Sequence, residues 1–241
     1  MPNWCYNSLR VEAEAKWNKD PKEIEKEQVE IEKELVKFKK ENILPNKEKT
    51  GKFLSFEGSI PMPKSLKITS GSATDRAIAY LLAKQDKYEE IDKIADYAFA
   101  PKHYGFKKGD GVMTKRLKIL KAMEKEITKA DLKEGQTALD NLKKYGFKDW
   151  YNWSIHNWGT KWDACEGDVY DDLKSELSCS FDTAWAPPIN WLEVASKKYP
   201  SLKFSLEYTE EGMGFEGKAF ARNGKVIDNS MQVEYPDEFF D

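Results

Sequence analysis

Residues 148–168, KDWYNWSIHNWGTKWDACEGD, place Trp150, Trp153, Trp158 and Trp162 within thirteen positions, interleaved with His156, Asn157, Lys161 and Asp163. Flat aromatic walls with a few polar selectors suit a nucleobase or another planar ligand. In that reading Trp153, Trp158, Trp162 and the later Trp185 form the walls, and Asn157, Lys161 and Asp163 select the ligand. The same residues also fit a buried hub, because indole rings fill cores and their N–H groups then need acceptors. Here Gly159 ends a helix, Trp162 enters a sheet and Asp163 accepts an indole or backbone N–H. A second polar-aromatic cluster, Asn3, Trp4, Tyr6 and Asn7, lies at the N-terminus. It either joins the ligand-binding set or caps the core.

Acid–base chemistry has few carriers. The two histidines are His103 and His156. Ser154 lies two positions from His156, so on a helix their side chains diverge. If the chain is an enzyme acting on a nucleotide or nucleic acid, Asp163 or His156 is the acid–base group. The carboxylates of DACEGDVYDD, residues 163–172, lack the alternating oxygen ligands and terminal Glu of a calcium loop and read as a solvated acidic turn. Three scattered cysteines, Cys5, Cys165 and Cys179, show no zinc spacing and no CxxC pair, as expected of reduced thiols in a cytoplasm. GMGFEG, residues 212–217, follows a strand with no helix behind it, so it reads as a tight bend rather than a phosphate loop. Neither a cofactor nor a metal is expected.

Charge is distributed unevenly around a net −3. Residues 1–148 carry 31 Lys+Arg against 24 Asp+Glu, and residues 149–241 carry 8 against 18. Lys107, Lys108, Lys115, Arg116 and Lys118 form a candidate surface for an acidic protein or a phosphate backbone. An overall pI near 5.7 makes nucleic acid the weaker alternative. No apolar run approaches the roughly 20 residues that span a bilayer, so no membrane partner is expected. The N-terminus lacks the basic start and apolar core of a secretory signal.

These residues need elements to hold them. Residues 7–13 alternate as a strand. Asp20 and Pro21 then open a helix with an apolar stripe at Ile24, Gln28, Ile31, Leu35 and Phe38, closed by Pro45. FLSFEGSIPMP reads as a short strand running into a proline-restricted segment. Residues 74–148 are helical. One helix is marked by Ile78, Leu81, Leu82, Tyr88, Ile91, Ile94 and Ala98, and another by Met113, Leu117, Leu120, Met123 and Ile127. Gly135 separates a last short helix, which Gly146 ends. Asp149 and Gly159 bound the aromatic helix. Leu177, Cys179, Phe181, Thr183 and Trp185 alternate as a strand. A helix enters through Pro187 and Pro188. Leu202, Phe204, Leu206 and Tyr208 form the next strand, and Asn223-Gly224 turns a terminal hairpin. The order fits an α+β fold: a βαββαβ core with an extra C-terminal hairpin and a large helical insertion.

The ordered segments MPNWCYNSLRV, SFEGSIPMP, WYNWSIHNWGTKWDAC, FDTAWAPP and LEYTEEGMGFEG resemble the YubB/Api92-like proteins of bacteriophages and plasmids. The resemblance implies a ferredoxin-like core over residues 1–63 and 149–241, with 64–148 as an insertion, and a life on mobile elements in a bacterial host cytoplasm. It carries no catalytic residues. The expected protein is a non-enzymatic binder that holds a small planar, nucleotide-like molecule or blocks a host protein, with counter-defence as its task. The sequence leaves its oligomeric state open.

Overall fold

The computed structural model describes residues 2–15, 20–46, 51–87, 90 and 100–232. In chain order the elements are β1 (Trp4–Glu12), α1 (Pro21–Asn42), β2 (Ile43–Pro45), β3 (Lys52–Leu54), α2 (Ser72–Lys84), α3 (Ala100–Tyr104), α4 (Val112–Met123), α5 (Lys129–Tyr145), α6 (Trp150–Trp158), β4 (Cys165–Asp172), β5 (Glu176–Ala184), α7 (Ile189–Lys198), β6 (Lys203–Glu210), β7 (Phe215–Arg222) and β8 (Lys225–Gln232). They fall into two compact units, one of Met1–Met62 with Asn152–Asp241 and one of Pro63–Tyr151.

The first unit is built on a six-stranded antiparallel sheet of order β4-β5-β1-β6-β7-β8. The sequence β1-α1-β4-β5-α7-β6, with sheet order β6-β1-β5-β4, is the βαββαβ ferredoxin-like arrangement, which the β7–β8 hairpin extends by two strands. β1 owes its central place to strict alternation. Cys5, Asn7, Leu9 and Val11 are buried, while Tyr6, Ser8 and Arg10 face out, and a one-residue slip would exchange the two sets. The covered face receives Ile31, Leu35 and Phe38 of α1, each contributing about 1.5–3 kcal/mol by burial. Phe38 meets Phe204 and Tyr199 edge-on at 5.5 and 5.1 Å. Asp20 caps α1 by accepting the Lys22 N–H at 3.0 Å, and Pro21 opens it. The helix ends at Asn42, three residues before Pro45, because residues 43–45 pair with β3 in a separate two-stranded sheet.

In the second unit α2 packs against α4 and α5 around Ile78, Leu82, Ile119, Met123 and Ala138. Gly135 does not separate two helices. It lies buried inside α5, which starts earlier, at a Thr128–Asp131 capping box. A Cβ at Gly135 would stand 2.7 Å from the Ala77 Cβ, so the glycine lets two helices approach closely. Of the stripe expected on α4, Met123 is buried and Leu120 and Ile127 pack on the same core, whereas Met113 and Leu117 are exposed and Ile119 is buried in their place. Tyr88, Ile91, Ile94 and Ala98 lie outside the described residues.

Two further expectations change. DACEGDVYDD is not a solvated turn: residues 165–172 form the edge strand β4, with two register shifts. Carboxylates are tolerated there because an edge strand has a solvent side. Asp172 is held between Lys52 at 2.7 Å and Lys39 at 2.9 Å. β5 stops at Ala184, so Trp185 is outside the alternation. Its φ of +75° turns the chain away, and its N–H donates to the Asn3 carbonyl at 3.0 Å.

Candidate functional site

The tryptophan-rich stretch divides between core and surface. Asp149 accepts the Tyr151 N–H at 2.9 Å to start α6, and Gly159, at φ +85°, closes it. Trp153 and Trp158 are buried, edge-on to each other at 5.3 Å. The Trp158 indole N–H donates to the Ile60 carbonyl at 3.1 Å, and its ring meets Phe56, which packs on Trp191 at 4.9 Å. Asn157 donates to the Trp153 carbonyl within the helix. These three residues build the hub; they do not line an open wall.

Asp163 also works inside the fold. Its Oδ1 accepts the N–H groups of Phe56 at 2.6 Å and Ala164 at 2.9 Å, and its Oδ2 accepts the Ser55 hydroxyl at 2.7 Å. Burial pushes its carboxyl above the ordinary range, against the pull of those three bonds. It thereby clamps the 3-10 turn Phe56–Gly58 under the sheet. Asn7 is likewise buried, donating to Cys5 O at 2.8 Å, Phe181 O at 3.2 Å and Thr183 Oγ1 at 2.9 Å.

The residues left at the surface converge on one end of the sheet. Trp162 does not enter a strand; it sits in the bend before β4, its ring 5.9 Å from that of Trp4 and tilted by 46°. The Lys161 ammonium lies 4.7 Å from the Trp162 centroid. Thr160 anchors this bend by donating to Ala184 O at 2.9 Å, and Ala184 is the register partner of Trp4. Trp185 follows directly and is 42% exposed. Beside it Asn3 stacks its amide over Gly212, where a Cβ would stand 2.3 Å from the amide nitrogen. Trp4, Trp162 and Lys161 therefore form a polar-aromatic cluster at this end of the sheet, with Asn3 next to it along the chain and Trp185 joined to it through the Trp185 N–H to Asn3 bond.

Sequence reasoning missed a second feature, the uncovered face of the sheet. Asp182, Tyr6, Thr209, Glu216 and Met231 are register partners across five strands, as are Ser178, Arg10, Ser205, Phe220 and Ile227. A groove of about 540 Å³ runs over β1, β6, β7 and β8, bordered by Tyr6 (48% exposed) and Phe220 (47%). Glu207 and Lys218 pair across it at 2.6 Å, and Ser8 meets the Tyr170 hydroxyl at 3.1 Å. The signal was the outward half of the β1 alternation, whose neighbours only the strand register supplies. On the covered side, Gly217 leaves room for Tyr208 to reach Asp228 at 2.6 Å; a Cβ there would stand 2.4 Å from the phenol oxygen.

The basic candidates lie in the second unit. Lys107 and Lys108 are exposed before α4, which carries Lys115, Arg116 and Lys118. Arg116 and Lys118 hold acidic and carbonyl partners nearby. Arg116 meets Asp86 at 2.7 Å and Ala83 O at 2.8 Å, and Lys118 meets Asp110 at 2.6 Å and Gly105 O at 2.8 Å. Among the described residues, no helix is long and apolar enough to cross a membrane, and no group of three or more His, Cys, Asp or Glu side chains is placed to hold a metal ion.

The protein api92 from Yersinia pseudotuberculosis, known from a crystal structure, is 14% identical, with a TM-score of 0.40 over 98% of this chain and 99% of that one. No curated protein matches. Residues 157–238 match the family described as the ferredoxin-like domain in Api92-like protein.

Proposed function

We propose that the protein is a non-enzymatic binder that holds a small planar, nucleotide-like ligand at the Trp4–Trp162 end of its sheet. The observation that carries this reading is the pair of half-buried indoles 5.9 Å apart, with the Lys161 ammonium resting on one of them. A planar ring gains contact by stacking on such a surface, and an attached phosphate offers Lys161 a stronger partner than an indole face. Asn3 and Trp185 lie next to the same cluster. Binding is favoured over turnover because the best placed carboxylate, Asp163, is committed to three structural hydrogen bonds. In this reading the protein works in a bacterial host cytoplasm in the service of a phage or plasmid, where sequestering a host signal would counter defence; the sequence resemblance to the YubB/Api92-like proteins supports that setting.

The protein purified from bacterial cells and measured by mass spectrometry, native and then denatured, tests this directly. A stoichiometric small molecule, lost in Trp4→Ala, Trp162→Ala and Lys161→Met, is the expected result. Retention of that molecule in all three variants places it elsewhere and overturns the assignment. Loss of a turnover activity in Asp163→Asn or His156→Ala would instead favour an enzyme. A second reading, a host protein docked on the uncovered sheet face, is favoured by the exposed Tyr6, Tyr170, Phe220 and Met231. Recovery of a host protein that Tyr6→Ala releases would support it.

A further inference from the structure

The two edges of the six-stranded sheet are built differently. β4 carries Glu166, Asp168, Asp171 and Asp172, two register shifts, and the β2–β3 hairpin alongside it. Charge, bulges and cover are the usual means of blocking an edge from pairing with another chain. Among the described residues β8 has no bulge, no covering strand and little charge. It pairs with β7 over eight consecutive residues without a shift, its sequence KVIDNSMQ has one lysine and one aspartate, and among the described residues no strand pairs with its outer side. Ile227 and Met231 are 64% and 60% exposed on it. Such a strand is a template for strand addition.

We propose that β8 is where two copies of this chain join, antiparallel, about a twofold axis perpendicular to the sheet and centred on Asn229. Identical antiparallel strands related by such an axis must meet in register about a single residue, so that side chains stay on matching faces. Centring on Asp228 sets two carboxylates opposite each other. Centring on Ile227 runs the ladder into the Asn223-Gly224 turn, and centring on Ser230 takes Ile227 past the end of the strand. Centring on Asn229 sets Ile227 of one copy against Met231 of the other, twice, and Asp228 against Ser230. It also pairs seven residues of each strand, 226–232. Apolar side chains then face each other on both sides of the axis and no like charges meet. The join makes one twelve-stranded sheet with both open faces on the same side. Ile227 of each copy then borders the groove that Met231 lines in the other.

Sedimentation equilibrium of the full chain over a wide concentration range tests this, with two variants that the exposed positions should tolerate. Ile227→Lys/Met231→Lys sets lysine against lysine twice and should weaken dimerisation about tenfold or more. Ile227→Glu/Met231→Lys sets opposite charges together and should restore dimerisation, now in a salt-sensitive form. Circular dichroism and melting establish that each variant is folded. A wild type that stays monomeric throughout overturns the proposal. So does a dimer that the double lysine variant leaves unchanged, or a charge-swapped variant no better than the double lysine one.

Discussion

Replacing Asp163 separates a structural carboxylate from a catalytic one. In Asp163→Ala the Phe56 N–H loses its acceptor inside a fully buried residue, and the Ser55 hydroxyl loses a charged partner. An orphaned buried donor costs about 1–3 kcal/mol, and the second bond adds about 1 kcal/mol. The Ala164 N–H is half-exposed and can turn to water. The total of about 2–4 kcal/mol should lower the melting temperature by about 5–15 °C. Asp163→Asn keeps Oδ1 as acceptor for both N–H groups and reverses the bond to Ser55, so it should cost at most about 1 kcal/mol. The pH dependence carries a sign. Because burial raises the folded-state value, folding takes up a proton above the ordinary value of 3.8. The wild type therefore loses stability as pH rises through that window, whereas the asparagine variant does not titrate. The advantage of wild type over Asp163→Asn should thus shrink from about pH 4 to neutrality. Thermal melting of the three proteins across that range provides the assay. Equal melting temperatures for Asp163→Ala and wild type would refute the clamp.

Four more expectations follow from particular contacts. Gly135→Ala gains about 1 kcal/mol of helix propensity but forces α5 off Ala77, so it should destabilise the protein by about 1–2 kcal/mol in denaturant titration, and Ala77→Gly should restore part of the loss. Gly217→Val drives Tyr208 from Asp228 and should melt lower than wild type; the same loss in a Tyr208→Phe background would show that the bond is not the cause. Burial pushes the Cys5 and Cys179 thiols up to about 12, so alkylation at about pH 8 should label the half-buried Cys165 first, and mass spectrometry counts the sites. Lys52 and Lys39 hold Asp172 below the usual carboxylate range, so its contribution is present above pH 3.8 and is lost as pH falls through its folded value. The stability gap between wild type and Asp172→Asn should accordingly close on acidification.

Elements whose cause is local were legible in the sequence. Asp20-Pro21, Asp149, Gly146, Gly159 and Asn223-Gly224 act through hydrogen bonds and dihedrals within a few residues, so caps and turns fall where their types require. The period-2 runs of β1, β5 and β6 likewise fix which side chains are buried, and the element order points to βαββαβ although its second core strand, β4, reads as a turn. Composition also marked the tryptophan stretch as the densest place for contacts.

Tertiary structure decided the rest, because one residue type serves opposite ends according to its neighbours. Trp158 turns inward onto Phe56 with Trp153 edge-on to it, while Trp162, on the same stretch, meets Trp4 from the start of the chain; no spacing rule distinguishes them. Asp163 becomes a clamp only because residues 55–56 arrive from a distant segment. Gly135 reads as a breaker until Ala77 is set against it, and the acidic run reads as a turn until β5 pairs with it. The groove over Tyr6 and Phe220 depends on the register of four strands, β1, β6, β7 and β8. Local signals act through the backbone of adjoining residues, whereas a surface is assembled from side chains that only the folded sheet brings together.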